Sequence, residues 1–417
     1  MSDELSVEEV QAEVEAWLDE HWDEGLSVGD WWDRLGPSGL AHPSLPTNAY
    51  GKGWGRAQAA AAMAIMADRE VMGPPTGLGR MLAAPTIALH GSQEQIDEFL
   101  PPILDGTVGW CQLFSEPGAG SDLAGLSTKA EKDGDEWIIT GQKVWTSGGQ
   151  IADMGMLIAR TDPEAPKHKG ITYFAFDMNQ PGVTVRPLVE MTGKALFNEV
   201  FIDEARVPDA NIIGGLNQGW AVANSTLMFE RASLGSAGKS PASAAGSGIR
   251  SVRSEPVTKF TNRTSGEGGV PPIGIGLWQY LVDTAEKAGK NTDPVLRQEL
   301  IKLYSLIEVN RLSIQRAKDP NQRTGAEPNI GKLVMSELFR SFREVGSQVI
   351  GADAMLMGDS DSQTAGGVAE ISMFSPGPSI YGGTDQIQRN IIGERVLGLP
   401  REPGPGKDTP FKDLPKN

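Results

Sequence analysis

The spacing of apolar residues changes twice along this 417-residue chain, and that change limits the fold more than any other feature. From residue 5 to 108, apolar side chains recur at helical spacing. Within this part, Ser92 and Gln95 predict a capping box for a helix that runs towards Leu100 and ends at Pro101-Pro102. From 109 to 213, short β-branched or alternating runs are separated by Pro, Gly and Asp at intervals of roughly 8–12 residues. From Asn217 onward the helical spacing returns. A helical, then β, then helical order predicts an α+β protein.

We predict three domains from these changes: an N-terminal helical domain over 1–108, a central antiparallel β-sandwich or barrel over 109–215, and a C-terminal helical domain over 216–401. Within the last, residues 235–277 are rich in Gly, Ser, Pro and Ala, and we expect a mobile surface insertion that buries little surface. Residues 402–417 are expected to form a loose polar tail.

Composition excludes several classes of protein. A net charge of −17 disfavours a nucleic-acid or anionic-membrane partner. The single cysteine, Cys111, excludes an intrachain disulfide framework and fits a reducing cytoplasm. The first residues carry no basic or apolar signal segment, and no run approaches the roughly 18 apolar residues of a membrane span. The four histidines are scattered, so no metal site is expected.

The stretch Trp110–Gly149 is the strongest candidate for a ligand-binding element. It turns sharply through Ser115–Asp122 and then predicts a hairpin of Lys129–Lys132 and Glu136–Thr140 around Asp133-Gly134, followed by another strand, Gln142–Ser147. Glycines and small hydroxyls beside bulky aromatics suit a backbone that lies close to a flat, polar ligand. An ordinary β-rich surface loop is the alternative.

Common catalytic and nucleotide-binding motifs are absent from the sequence. It contains no G-x-x-x-x-G-K-[ST], no G-x-G-x-x-G between a strand and a helix, no G-x-S-x-G and no HExxH. Two features remain besides the turn. One is the helix Thr384–Leu397, with Thr384 as its N-cap and Gly398 at its end. The other is Glu230, a carboxylate in an apolar setting.

Four blocks of this sequence, in this order, resemble the acyl-CoA dehydrogenase family of flavoproteins: FSEPGAGSD (114–122), GQKVWTSGG (141–149), FNEVFIDEARVP (197–208) and YGGTDQIQRNIIGERVLGLP (381–400). The resemblance implies an N-terminal helical domain, a central β-domain and a C-terminal four-helix domain. It also implies FAD as cofactor and oxidation of an acyl-CoA thioester to its 2-enoyl-CoA. Electrons would pass to electron-transfer flavoprotein, and the family commonly forms tetramers.

The same resemblance implies residues that hold the flavin. Phe114 and Ser115 match positions against the isoalloxazine ring, Gly120 and Ser121 follow at the phosphate and substrate side, Trp145 stacks near the ring and Ser147 bonds around N5 or O4. A core aromatic is the alternative for Trp145. The dinucleotide of a neighbouring subunit would meet four further residues: Gln348, Gly351, Thr384 and Gln386.

The catalytic base is expected at Glu230. Many family members carry it in Y-E-G-T, where this chain has Tyr381-Gly382-Gly383-Thr384, but a second group carries it just before an arginine on the first helix after the β-domain. Leu227, Met228 and Phe229 would desolvate Glu230 and raise its pKa. The expected substrate-side residues are Ser121, Leu227, Arg231, Tyr381 and Gly382. The alternative is that Glu230 only pairs with Arg231 or another helix residue.

Departures from the family pattern leave assembly and substrate open. The R-x-x-F-G motif that reaches a partner's FAD is missing, and Arg297 is the candidate replacement. The chain is therefore expected as a homodimer or homotetramer, or as a weakly catalytic subunit of a hetero-tetramer. The WCQ-FSEP form resembles bacterial relatives that act on bulky, branched or ring-bearing acyl groups. An oxidase or monooxygenase on the same fold is a further alternative.

Overall fold

The computed structural model describes residues 5–233, 241–243, 249–261, 274–357, 366–401, 403, 406 and 408–415. The chain divides into two compact units. Unit 1 comprises 1–188, 195–263 and 405–417, and unit 2 comprises 189–194 and 264–404. Among the described residues, no helix is both long and apolar enough to cross a bilayer.

The helices of unit 1 surround one apolar core. They are α1 (Val7–His21), α2 (Val28–Leu35), α3 (Arg56–Asp68), α4 (Ala84–His90), α5 (Gln93–Leu104), α6 (Gly219–Ser233), α7 (Ile249–Val252) and α8 (Thr258–Thr261). Trp31 and Trp32 of α2 are almost fully buried, and their indole N–H groups donate to the carbonyls of Met72 and Gly73. Satisfying these donors lets two large aromatic side chains enter the core.

Helix α5 begins where the sequence predicts but ends later. Ser92 and Gln95 form the capping box at its start. The consecutive prolines Pro101 and Pro102 do not end the helix, which continues to Leu104. Ile103 and Leu104 are buried in the core, and their packing offsets the backbone hydrogen bonds that the prolines cannot donate. The expectation of a proline stop is wrong for this reason.

The central part of unit 1 is an eight-stranded sheet made of β1 (Trp110–Leu113), β2 (Lys129–Asp133), β3 (Glu136–Ser147), β4 (Met154–Arg160), β5 (Ile171–Asp177), β6 (Val183–Leu188), β7 (Phe197–Pro208) and β8 (Ile212–Ile213). The strand order is β6-β7-β3-β2-β4-β5-β8, with β1 paired to β4. Most pairs are antiparallel as expected, but β4 pairs in parallel with both β1 and β2. A separate apolar cluster lines the sheet, and β1, β2, β3, β4, β5 and β7 all contribute to it.

The predicted hairpin forms, with one difference. β2 and β3 pair around Gly134, whose φ is +60°. The two predicted strands that follow are one continuous strand, β3, with a register shift between Ile139 and Gly141. A Cβ on Gly141 would lie 2.4 Å from Thr128 Oγ1, so glycine permits a close backbone approach here and does not interrupt the strand.

The described parts of 235–277 and of the tail are docked, contrary to expectation. Residues 249–261 place Val252, Val257 and Phe260 in the core of unit 1, and the amide of Val28 donates to the Glu255 carbonyl at 2.8 Å. In the tail, the centroid of the Phe411 ring lies 3.7 Å from the Arg160 guanidinium carbon. Few apolar residues are enough to anchor these segments, because each is buried against an existing surface. Residues 235–240, 244–248 and 262–273 lie outside the described residues.

Unit 2 is helical. It contains α9 (Ile275–Lys287), α10 (Pro294–Lys318), α11 (Glu327–Ile350), α12 (Gly367–Phe374) and α13 (Asp385–Ile391). The long helix α11 packs against the other four around its own apolar core. Thr384 caps α13 by accepting a hydrogen bond from the Ile387 amide at 3.2 Å, as the sequence predicts.

Candidate active site

The turn that follows β1 is fixed by a buried ion pair. Lys143 of β3 is fully buried, and its ammonium donates to Glu116 Oε1 at 2.8 Å and to the carbonyls of Phe114 and Ile158. The other Glu116 oxygen accepts from the Ser127 amide at 2.7 Å. Every donor of the ammonium therefore has an acceptor, which a buried charge requires. The pair ties both ends of the turn to the sheet.

The same contacts set the charge of the carboxyl group. Burial raises the pKa of Glu116, but the Lys143 ammonium and hydrogen bonds from Ser127 and Thr128 outweigh it and hold that pKa at about 2. Burial lowers the pKa of Lys143, and Glu116 opposes that change. The Glu116 carboxyl group is therefore ionised at neutral pH.

Trp145 lies exposed in a strained stretch of β3. Its side chain is 61 % exposed, and its φ of +62° is a conformation that bulky residues rarely adopt. The register of β3 against β7 shifts between Lys143 and Thr146, so a bulge turns the indole out of the sheet. Ser147, partly buried, ends the strand. An exposed indole held by strained backbone fits the predicted stacking on a flat isoalloxazine ring.

The turn Ser115–Asp122, called the flavin-side turn after its predicted role, has an open, polar edge. Gly120 and Ser121 are exposed, and a Cβ on Gly120 would meet no atom within 4 Å. The Ser115 carbonyl accepts from the Val144 amide at 2.9 Å, which joins the turn to β3 just before Trp145. The predicted residues at 114, 115, 120 and 121 therefore lie on or next to a turn that is bonded to β3, the strand that carries those at 145 and 147.

A line of contacts runs from this turn to helix α6. The Phe114 ring meets Tyr173 of β5 edge to face, with 6.0 Å between the ring centroids. Burial raises the pKa of Tyr173, and the nearby Thr226 hydroxyl of α6 opposes that rise. Thr226 in turn lies 3.0 Å from the hydroxyl of Thr86 on α4. Phe114 therefore packs on Tyr173, and α6 packs on β5, the strand that carries Tyr173.

Glu230 lies one helical turn after Thr226 and so on the same side of α6. Glu230 and Arg231 are both partly buried. Leu227 and Phe229 pack against the core of unit 1, but Met228 is 51 % exposed. Met228 points away because consecutive helical residues differ by about 100° in direction. Of the three residues expected to desolvate Glu230, only Leu227 and Phe229 contact that core.

In unit 2, the predicted residues around Gly382 form a tight turn. Gly382 and Gly383 have φ values of +63° and +83°, and Nε2 of the Gln388 side chain donates to the Gly382 carbonyl at 3.0 Å. Tyr381 packs against Phe374, and the Lys332 ammonium lies 5.7 Å from its ring centroid. A glutamate at 382 would have to adopt a left-handed conformation, so the turn itself favours the glycine found there.

The four predicted dinucleotide contacts lie in two separate places within unit 2. Thr384 and exposed Gln386 begin α13, which is bonded to α11 through Asp385 and Arg340. Exposed Gln348 and Gly351 lie at the far end of α11, at least eight residues beyond Arg340 or roughly 12 Å along the axis. Arg297 is exposed on α10 and has no ion pair among the described residues. The four predicted dinucleotide contacts therefore belong to two separate surfaces of unit 2 in one protomer.

Sequence reasoning overlooked Glu116 and Lys143 as a pair. Both lie inside recognised blocks, but neither touches the predicted ligand surface. The available signal is that Lys143 lies within a predicted strand, directly before the apolar residues Val144 and Trp145, since a charge that is buried in a sheet needs a buried partner.

Three sequence models match the chain: acyl-CoA dehydrogenase N-terminal domain at residues 4–107, middle domain at 111–204 and C-terminal domain at 277–397. With the fold and site above, these matches show that the chain belongs to the acyl-CoA dehydrogenase family. The expected fold class, helical parts around a central β-domain, is confirmed, as is the expectation of an enzyme.

Particular relatives give a closer view. The chain is 34 % identical over 373 residues to acyl-CoA dehydrogenase IpdE1 of Mycobacterium tuberculosis, covering 89 % of this chain and 88 % of that protein. It is 37 % identical to FadE34 of the same organism, covering 88 % of this chain but 46 % of that protein. Among solved structures, the Tcur3481-Tcur3483 steroid acyl-CoA dehydrogenase gives a TM-score of 0.69 at 26 % identity, covering 95 % of this chain and 98 % of that one. The ChsE4-ChsE5 complex of M. tuberculosis gives 0.68 at 25 %, covering 96 % and 100 %.

Proposed function

We propose that this enzyme is an FAD-dependent acyl-CoA dehydrogenase in which Glu230 removes the α-proton of an acyl-CoA thioester. The observation that carries the proposal is that Phe114 packs on Tyr173 of β5 and that α6 packs on the same strand, because this joins the flavin-side turn and the helix of Glu230 to one strand of unit 1. A base and a flavin wall must flank the same pair of carbon atoms for this reaction.

The residues divide the chemistry as follows. The Glu230 carboxylate takes the proton from Cα, and the electron pair of that C–H bond becomes the second bond between Cα and Cβ. FAD, when bound, accepts the β-hydrogen with its electron pair. Trp145 would cover the ring, Ser115 and Ser147 would bond its edge, and the turn at Gly120 and Ser121 would leave space for the pyrophosphate and the thioester. Phe114 and Leu227 would exclude water from the reacting carbons.

Replacing Glu230 tests the proposal directly. In Glu230→Gln, FAD content should stay normal, while anaerobic bleaching of the flavin by acyl-CoA should slow by roughly 10²–10⁴-fold. Glu230→Asp should retain part of the rate, and Glu98→Gln, which alters an exposed carboxylate on α5, should match the parent enzyme. Near-normal bleaching in Glu230→Gln would remove Glu230 from this role.

For the substrate, we infer a bulky or ring-bearing acyl-CoA, and for the electron acceptor, electron-transfer flavoprotein in the cytoplasm. The WCQ-FSEP form and the similarity to a structure named a steroid acyl-CoA dehydrogenase support the substrate class. Bleaching by ring-bearing but not by straight-chain thioesters is the expected result. Turnover with oxygen alone, without an added acceptor, would favour an oxidase instead.

A hetero-oligomeric dehydrogenase is the second candidate. Its support is that two similar structures are named for two chains, Tcur3481-Tcur3483 and ChsE4-ChsE5, and that this chain lacks the R-x-x-F-G motif. The test is to purify the chain alone and measure mass and bound FAD. A yellow homodimer or homotetramer that bleaches with substrate would reject the second candidate, whereas a colourless chain that stays free of added FAD would favour it.

A further inference from the structure

A positively charged side chain without a carboxylate partner lies beside the helix of the proposed base. The Arg80 side chain is half-buried, and its Nε donates to the Ala41 carbonyl at 2.5 Å. No other acceptor among the described residues bonds the guanidinium, which has five N–H donors. Arg80 belongs to a five-residue π-helical turn, Gly79–Ala83, a geometry that occurs frequently at functional sites.

The neighbour of Arg80 is also incompletely bonded. His42 follows Ala41 directly, and its buried Nδ1 has no hydrogen-bond partner among the described residues. Burial, followed by the charge of Arg80, lowers the pKa of His42 to about 3, so the ring is neutral at physiological pH. Burial lowers the pKa of Arg80 to about 10, so the guanidinium stays charged. One cation and one neutral imidazole therefore lie next to each other with unused hydrogen-bonding capacity.

The direction of the helices places Arg80 near Glu230. Thr86 of α4 faces Thr226 of α6 at 3.0 Å, and His90, four residues further along α4, faces Ser225 at 2.8 Å. The two helices therefore run in opposite directions. The turn Gly79–Ala83 precedes α4 and also contacts α6, so it lies beside the part of α6 that follows Thr226 and contains Glu230.

We infer that Arg80, assisted by His42, binds a carboxylate carried by the acyl part of the thioester substrate. The inference rests on the proposed function, since it places the acyl group beside Glu230. The half-buried guanidinium keeps N–H donors that no described residue engages, and a substrate carboxylate could accept charge-assisted, two-pronged hydrogen bonds from them. A purely structural arginine would need only the bond to Ala41.

The test compares matched acyl-CoAs on the FAD-loaded full chain. The probes are CoA monothioesters of dicarboxylic acids that carry a cyclohexane ring and a side chain of varied length, their terminal methyl esters and the corresponding ring-bearing acyl-CoAs without the second carboxyl group. The parent enzyme should bleach at a lower concentration of the free acid than of its methyl ester at one or more chain lengths. Arg80→Gln should reduce the preference for the free acid over the methyl ester by a factor of about 10–100, and Arg80→Lys should keep part of that preference. Arg69→Gln, at an exposed arginine paired with Asp19, is the control and should change nothing.

Two outcomes overturn the inference. One is a parent enzyme that shows no preference for the free acid at any chain length. The other is an Arg80→Gln variant in which bleaching by the free acids and bleaching by the methyl esters weaken equally. Calorimetric measurement of the binding of 3-thia analogues distinguishes a failure of this inference from a failure of the proposed function. Binding of the acid analogue that depends on Arg80 but is accompanied by no bleaching of any thioester would reject dehydrogenation and keep the anion site. Bleaching without Arg80-dependent selection would do the reverse.

Discussion

The Lys143 ammonium lies 2.8 Å from Glu116 Oε1 inside the β-domain, and the two side chains are only 0 % and 5 % exposed. Glu116 belongs to the flavin-side turn, whereas Lys143 lies on β3 two residues before Trp145. The pair therefore joins the two segments that form the proposed flavin wall. Its role is to position them, because neither charge reaches the surface.

Removing one partner of the Lys143–Glu116 ion pair should lower the free energy of unfolding. Lys143→Met leaves a buried carboxylate without its cation, and the free energy of unfolding should fall by roughly 3–5 kcal/mol in urea denaturation. The double variant Lys143→Met/Glu116→Leu should lose less than the sum of the single variants, because no charge is left unpaired. Glu131→Gln, in the exposed pair with Lys129 on β2, should stay within about 0.5 kcal/mol of the parent. Equal losses at 131 and 143 would contradict a specific role.

Acid should weaken the protein through Glu116. Its pKa is lowered from 4.5 to about 2 by folding, so the unfolded chain binds a proton more readily than the folded one. The stabilisation is present above pH 4.5 and is lost as pH falls from about 4.5 towards 2. The shift corresponds to roughly 3 kcal/mol at neutral pH. Urea denaturation between pH 3 and 7 should show a smaller slope in Glu116→Gln than in the parent, and identical slopes would refute this account.

Trp145 should serve the cofactor and not the fold. Because the indole is 61 % exposed, Trp145→Ala should change the unfolding free energy of the FAD-free protein by less than about 0.5 kcal/mol. Loss of the stacking contact should raise the dissociation constant of FAD by roughly tenfold, and Trp145→Phe should restore most of the affinity. Fluorescence titration of the FAD-free proteins with FAD measures the dissociation constant of FAD in the parent and in each variant. Unchanged FAD affinity in Trp145→Ala would show that the indole does not stack on the ring.

The turn at Gly382 should resist any side chain. With φ at +63°, Gly382→Ala should lower the free energy of unfolding by about 1 kcal/mol. Gly331→Ala offers the matched control, because Gly331 lies inside α11 with no atom within 4 Å of an added Cβ. That change should be neutral or stabilising by up to about 1 kcal/mol. A neutral Gly382→Ala would mean that the turn is not the reason for the absent glutamate.

Local elements followed from the sequence where a short-range rule was sufficient. The hairpin around Gly134, the capping box at Ser92 and the N-cap at Thr384 all form as predicted, because each depends on residues three or four positions apart. The helical–β–helical order followed from apolar periodicity in the same way. Rules of local conformation failed where packing opposed them, as at Pro101 in α5 and at Gly141 in β3.

The candidate site divides along the same line. By itself, the sequence determined which residue types stand at 114, 115, 145 and 230, and that the usual glutamate is missing at 382. Only the tertiary structure decided that Lys143 has Glu116 as its partner and that Arg80 has no carboxylate partner among the described residues. The reason is physical: burial and the pairing of charges depend on segments that are distant along the chain, and local periodicity carries no information about which of them meet.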